Sequence, residues 1–226
     1  MKKLVLLAFS LCVTFITYAQ TTIIPKIGIS LANVEGSSDL IGGFDTKSKI
    51  GLVLGAAVEF NISDKVSFQP ELLFHQKGYS IDESEGSASY TEKNTLNYIE
   101  LPVLLKLKFS DLYLNVGPSI GFGIGGKYEY EYSEPGFSDN GSGKIKFGEE
   151  PSNYSGDDSY VDNAMDFGLQ FGIGYKIAGK VLIDVRYGLG LSNLMDKDTA
   201  NGIDDNKSQN RSFQFTLGYP ISSGGN

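Results

Sequence analysis

Apolar and polar residues alternate along most of this chain, and the longest run covers residues 112–132, LYLNVGPSIGFGIGGKYEYEY. Leu112, Leu114, Val116, Pro118, Ile120, Phe122 and Ile124 form one apolar row, which the pattern extends through Tyr128, Tyr130 and Tyr132. Tyr113, Asn115, Gly117, Ser119, Gly121 and Gly123 form the other row, continuing into Lys127, Glu129 and Glu131. Side chains of a strand point alternately to its two faces, so the pattern predicts one long strand. Strands of globular proteins usually end after about five or six residues. A strand of about ten residues, apolar on one side and small or polar on the other, has the length and character needed to cross a bilayer.

The same period recurs over residues 25–33, 49–61, 65–79, 95–109, 163–177, 181–193 and 211–221, which with 112–132 makes eight strands. No helical stripe of comparable strength competes. Short turns at 61–64, 110–111 and 178–180 alternate with long polar loops at 34–48, 80–94, 133–162 and 194–210. This is an all-β, antiparallel, up-and-down meander with tight turns at one end and long loops at the other. An eight-stranded transmembrane β-barrel has this asymmetry, with periplasmic turns and extracellular loops.

Alternation does not say which face points inward, and a soluble lipocalin-like carrier also alternates, with its apolar face inside. Glycine placement separates the two. Gly28, Gly51, Gly55, Gly117, Gly121, Gly123, Gly168, Gly172, Gly174, Gly188, Gly190 and Gly218 all fall on polar faces. The interior of an eight-stranded barrel is just wide enough for side chains to fill, so small residues are needed among large ones. A water-facing surface has no such need and loses strand propensity to glycine. The polar face is therefore expected inside and the apolar face against lipid. Phe60, Phe68, Phe109, Tyr175 and Tyr219 gather on the apolar face near the short turns. With Tyr128, Tyr130 and Tyr132 towards the loops, they suggest two interfacial aromatic bands.

The N-terminus adds a destination. Lys2 and Lys3, the apolar run 4–16 and Thr17-Tyr18-Ala19 read as a secretory signal peptide over 1–19, which leaves the barrel domain at 20–226. The single cysteine, Cys12, lies in that leader, so the mature chain would have neither a disulfide nor a thiolate site. Nineteen basic residues less Lys2 and Lys3 leave 17 against 27 acidic ones, a net charge near −10. An exported chain this acidic is not expected to bind nucleic acid. No later apolar run approaches the length of a membrane helix, so a membrane location requires a closed barrel.

The leader ending in Tyr-Ala-Gln, the segment YIELPVLLK at 98–106 and NVGPSIG at 115–121 resemble the outer-membrane β-barrel family common in Bacteroidetes, often labelled porin-family or PorT-like. The resemblance covers essentially the whole mature chain. It implies an outer-membrane barrel of the OmpA/OmpX type and almost nothing about activity, because fold does not supply function.

Candidate chemistry lies mainly on the inward face, which carries Glu59, Glu71, His75, Lys77, Glu100, Lys106, Lys108, Asp166, Lys176, Asp184 and Arg186. Buried ionisable groups must be paired or solvated. A lumen network with Glu59, Glu71, His75, Glu100, Lys106, Asp184 and Arg186 among its members is expected, the alternative being a narrow polar path for ions. Residues 117–121, GPSIG, match the G-x-S-x-G of serine hydrolases but fall in mid-strand, away from the strand-to-helix elbow that chemistry needs. The alternative from the enzyme class is a lipid-modifying barrel using Ser119 and His75, with Glu71 to complete a triad. The acidic loop 196–205 resembles a calcium loop with faulty spacing. Phe137, Tyr154 and Tyr160 in the longest loop are candidates for a recognition surface. The residues together imply a non-enzymatic outer-membrane barrel without cofactor, monomeric and seated in lipid. Its role would be structural in the envelope or binding of an external ligand or protein through the long loops.

Overall fold

Each alternating segment becomes a strand whose backbone groups pair with both neighbours. The computed structural model describes residues 21–36, 45–148, 151, 156–195 and 207–222. The strands in chain order are β1 (Thr21–Glu35), β2 (Lys49–Asn61), β3 (Val66–Glu85), β4 (Ala88–Phe109), β5 (Leu112–Glu134) and β6 (Phe137–Phe147). They continue with β7 (Ser159–Val161), β8 (Met165–Ile177), β9 (Val181–Gly190), β10 (Gln209–Gly218) and β11 (Ile221–Ser222). The leader, the acidic loop 196–205 and Tyr154 lie outside the described residues.

Strands β1, β2, β3, β4, β5, β8, β9 and β10 are neighbours in that order, and β10 returns to pair with β1. Every pairing in this ring is antiparallel. The ring closes as an eight-stranded barrel, which leaves no sheet edge in its wall, the condition for a sheet to cross lipid. The remaining strands are additions: β6 and the short parallel β7 are carried by β5, and β11 pairs with the start of β1.

The two faces differ sharply in burial. Ile27, Val116 and Phe171 keep 55%, 49% and 44% of their surface exposed, while their neighbours Lys26, Asn115 and Gln170 keep 3%, 2% and 1%. The apolar face therefore points outward and the polar face fills the lumen, which removes the carrier reading. Glycine acts as anticipated where a large side chain crowds the wall. A Cβ on Gly174 would lie 2.2–2.4 Å from the ring of Tyr113, which crosses the lumen over it.

Two segments expected to be loops are strands. Residues 80–94 complete the β3–β4 hairpin, which stays paired to its tip at Glu85 and Ala88. Within 133–162, β6 pairs with 126–134 of β5. Apart from Ile81, Ile145 and Phe147, these segments are mostly polar or glycine-rich on both faces, so they show little apolar contrast in the sequence. Together the upper parts of β3, β4 and β5 with β6 form a sheet that rises from the long-loop end of the barrel.

A bulge in β5 separates barrel wall from sheet. Tyr98 pairs with Gly123 and Leu96 with Gly126, so three steps on β5 face two on β4. Gly125 takes φ 131°, a conformation that favours glycine. One extra residue exchanges the two faces of a strand. Beyond it Tyr128, Tyr130 and Tyr132 point inward, opposite Asn94, Glu92 and Tyr90, and Lys127, Glu129 and Glu131 point outward. This corrects the sequence expectation: the tyrosines neither extend the lipid-facing row nor form an outer girdle. The band at the short turns does exist on the outer face, where Phe109, Tyr175 and Tyr219 are exposed and the Phe60 and Phe68 rings lie 6.3 Å apart.

Candidate functional site

The inward side chains are arranged in tiers along the lumen. At the short-turn end, Glu59 accepts bonds from Lys106 (2.9 Å), Lys108 (3.2 Å) and the Ser67 hydroxyl (2.8 Å). Lys106 also bonds Gln69 Oε1 at 3.2 Å and lies 3.9 Å from the centre of the Tyr113 ring, a cation–π contact. Gln69 donates in turn to Glu71 at 2.6 Å, linking this tier to the next.

The middle tier is built on Glu71. Arg186 grips its two oxygens at 2.7 and 2.9 Å, and Lys26 adds a third contact at 3.1 Å. Lys26 and Arg186 both lie 3.4 Å from Asp184, which also accepts from Asn115. Two cations thus face two carboxylates, and the charges of this tier balance. In the upper tier Lys77 bridges Glu100 and Asp166, each at 2.9 Å. His75 Nδ1 lies 2.9 Å from Glu100, and Asn210 donates to Asp166 at 2.9 Å.

All seven residues singled out from the sequence are buried in these tiers, spread over β2, β3, β4 and β9. Lys26, Gln69, Asn115 and Asn210 were missed as members. Lys26 shares the face of Gly28 and Ser30, a phase that would have found it. Missed too, apart from Tyr113, were the apolar residues of the interior. Val34, Leu96, Tyr98, Ile145, Val161 and Leu194 pack above the upper tier, and Ile24, Ala57, Tyr113 and Leu182 pack at the opposite end. For Ile24, Ala57 and Leu182 the signal is an apolar doublet that breaks alternation, as at Ile23-Ile24, whereas Val34, Leu96 and Ile145 stand between polar neighbours.

Ser119, His75 and Glu71 do not assemble into a triad. His75 is held by Glu100, and Glu71 is occupied by Arg186 and Lys26. Ser119 is 8% exposed in mid-strand, beside a small polar gap shared with Lys77, Glu100, Asp166, Asn210 and Ser212.

Above the apolar layer, the inner face of the sheet borders an open cleft of about 650 Å³. Tyr90, Glu92 and Asn94 from β4, Tyr128 and Tyr130 from β5, and Asp157, Asp158, Tyr160 and Asp162 around β7 line it. Glu92 accepts bonds from Tyr90 and Asn94, both at 2.5 Å. The Tyr128 hydroxyl donates to the carbonyl of Asp157, tying the β7 segment to the sheet. Of the recognition candidates, Tyr160 is in this cleft, and Phe137 stands at the tip of the sheet, 6.2 Å from Tyr132.

A closed antiparallel ring with an apolar exterior and a charged, paired interior defines a membrane-spanning β-barrel of the outer-membrane class. The family model described as outer membrane protein beta-barrel domain matches residues 18–196, and the chain belongs to that family and resides in the outer membrane. In such barrels the long connections face the outside and the short turns the periplasm. No curated protein matches the chain in sequence. Among solved structures it is similar to Ail, the attachment invasion locus protein of Yersinia pestis, determined with the heparin analogue sucrose octasulfate. That likeness has 15% identity over 89% of this chain and 99% of the other, with a TM-score of 0.43. Neisserial surface protein A is 10% identical over 90% and 97% of the two chains, TM-score 0.41. OprG of Pseudomonas aeruginosa is 13% identical over 91% and 97%, TM-score 0.34.

Proposed function

We propose that this protein is a monomeric, non-enzymatic barrel with a closed lumen, which acts outward by holding a ligand on the sheet raised by β3–β6. The observation that carries the reading is a contrast between two polar sites. The lumen cations and carboxylates are consumed by one another and capped by apolar side chains at both ends. The tyrosines and carboxylates of the sheet instead border an open cleft. A paired, covered network stiffens a barrel, whereas polar and aromatic groups around a concave opening suit recognition.

Two measurements on purified full-length protein test this. Reconstituted in a planar bilayer, it should show no stepwise conductance. Steady channel openings would overturn the closed lumen in favour of an ion path past the small gap beside Asp166. Replacing 79–94 by a short turn should leave a barrel that reaches the outer membrane and still shifts mobility on boiling. If that shortened chain no longer folds, the sheet is part of the scaffold and the ligand-holding reading fails.

A further inference from the structure

We propose that the cleft on the inner face of the sheet binds the lysine and arginine side chains of a basic peptide. The proposal rests on the surface-ligand reading above and specifies the chemistry of the ligand. The walls alternate ring faces with carboxylates, Tyr90 beside Glu92 on β4 and Tyr160 beside Asp158 at β7, and no lysine or arginine is among the described residues that line it. Such a wall attracts cations in two ways, through the negative face of the ring and through charge-assisted hydrogen bonds.

A cation of the protein itself demonstrates the chemistry. Lys146, an exposed residue of β6, places its ammonium 2.5 Å from Asp158 and 5.7 Å from the centre of the Tyr160 ring, two residues that line the cleft. One carboxylate and one ring thus already hold an ammonium. On the opposite wall the Glu92 carboxylate is positioned by Tyr90 and Asn94. A carboxylate has about four acceptor sites, so these two donors leave capacity for an incoming cation. Burial and the bond to Glu92 hold the Tyr90 phenol well above the usual tyrosine range, so it remains a neutral donor.

The placement of the carboxylates favours a peptide over a lone amine. The cleft, at about 650 Å³, lies within the roughly 300–1,000 Å³ of ligand-binding clefts and has room for more than one side chain. Its carboxylates also come from separate segments, β4 on one wall and residues 157–162 on the other, which suits cations spaced along one chain. The formal net charge of −8 adds attraction at longer range.

The test uses full-length protein in nanodiscs and a fluorescein-labelled hexapeptide of alternating lysine and serine. Its glutamate–serine counterpart and spermidine serve as comparisons. Saturable binding of the basic peptide is expected, weakening as salt rises. Glu92→Gln with Asp162→Asn should weaken it by about tenfold or more. Lys146→Gln should tighten it several-fold by removing an ammonium that competes for Asp158 and the Tyr160 ring. Lys127→Gln, on the outward face of the same sheet, changes net charge equally and should have no such effect. Equal gains from the two lysine variants would reduce the attraction to net charge and overturn the proposal. Spermidine binding as tightly as the peptide would overturn it in favour of a small amine. Binding of the acidic peptide instead, sensitive to the same variants, would overturn the cationic ligand while keeping the surface-ligand reading. No binding by any probe would overturn the proposal, and the shortened-hairpin experiment then decides whether the broader reading survives.

Discussion

Arg186 and Glu71, 115 residues apart in sequence, meet in the lumen through two parallel bonds, Nη1 to Oε2 at 2.7 Å and Nη2 to Oε1 at 2.9 Å. Both side chains are essentially inaccessible to water. Taking such charges out of water costs several kcal/mol per ion, and a fork-to-carboxylate geometry is the arrangement that best offsets it. Lys26 and Asp184 complete the tier, so the pair is one half of a balanced group of four.

Breaking that balance should be costly. Glu71→Ala leaves Arg186 and Lys26 facing Asp184 alone and should lower unfolding stability in detergent by about 3–5 kcal/mol. Glu71→Met combined with Arg186→Leu removes one charge of each sign and keeps Lys26 opposite Asp184. The double variant should therefore be closer to the parent than Glu71→Ala, as read from urea midpoints.

The outward face should reject charge. Val116→Arg places a guanidinium on the apolar exterior of β5, where its cost in the bilayer is about 2–4 kcal/mol at mid-depth. The variant should fold into lipid vesicles less stably than the parent by that margin. An unchanged stability in lipid would contradict the orientation of the wall.

Lumen space at Tyr113 should be equally strict. Gly174→Ala drives a methyl into the ring of Tyr113, and such overpacking costs about 1–3 kcal/mol. Adding Tyr113→Leu should recover part of the loss, because the smaller side chain vacates the position. The heat needed to convert the folded gel band to the unfolded one gives the ordering of the three proteins.

At the bulge, Gly125→Val would have to adopt φ 131°, at a cost of about 1–3 kcal/mol. The strain falls where β5 leaves the barrel, so the barrel should keep its heat-dependent shift while the sheet above becomes more open to added protease. Cleavage mapped within 126–147 would locate the damage.

The wall of the barrel was legible because its environment is simple: one face meets lipid, the other a crowded interior. That contrast imposes the alternation of Ile50 to Phe60 on β2 and of Ile99 to Phe109 on β4, and glycine on the crowded side reveals which face is inside. Above the wall the contrast ends. Water lies on both sides of the raised sheet, so residues such as Ser142 and Gly143 on β6 show no sign of being strand, and the hairpin at 80–94 reads as a loop. The bulge was hidden for a related reason. Gly125 follows Gly121 and Gly123 in the same phase, and only its pairing with Asn97 shows that an extra residue has been inserted.

The sequence by itself determined the all-β class, the eight-stranded ring, the outward apolar face and the charged character of the lumen. These follow from local periodicity, because every strand repeats the same two environments. Only the tertiary structure decided which charges meet, as in Lys26 with Glu71 and Asp184, and which side of the sheet the tyrosines occupy. Pairing depends on the stagger between strands, which brings together residues far apart in sequence, and the facing of Tyr128 and Tyr130 depends on a single inserted residue. Neither leaves a mark in the alternation, because both belong to the register of one strand against another.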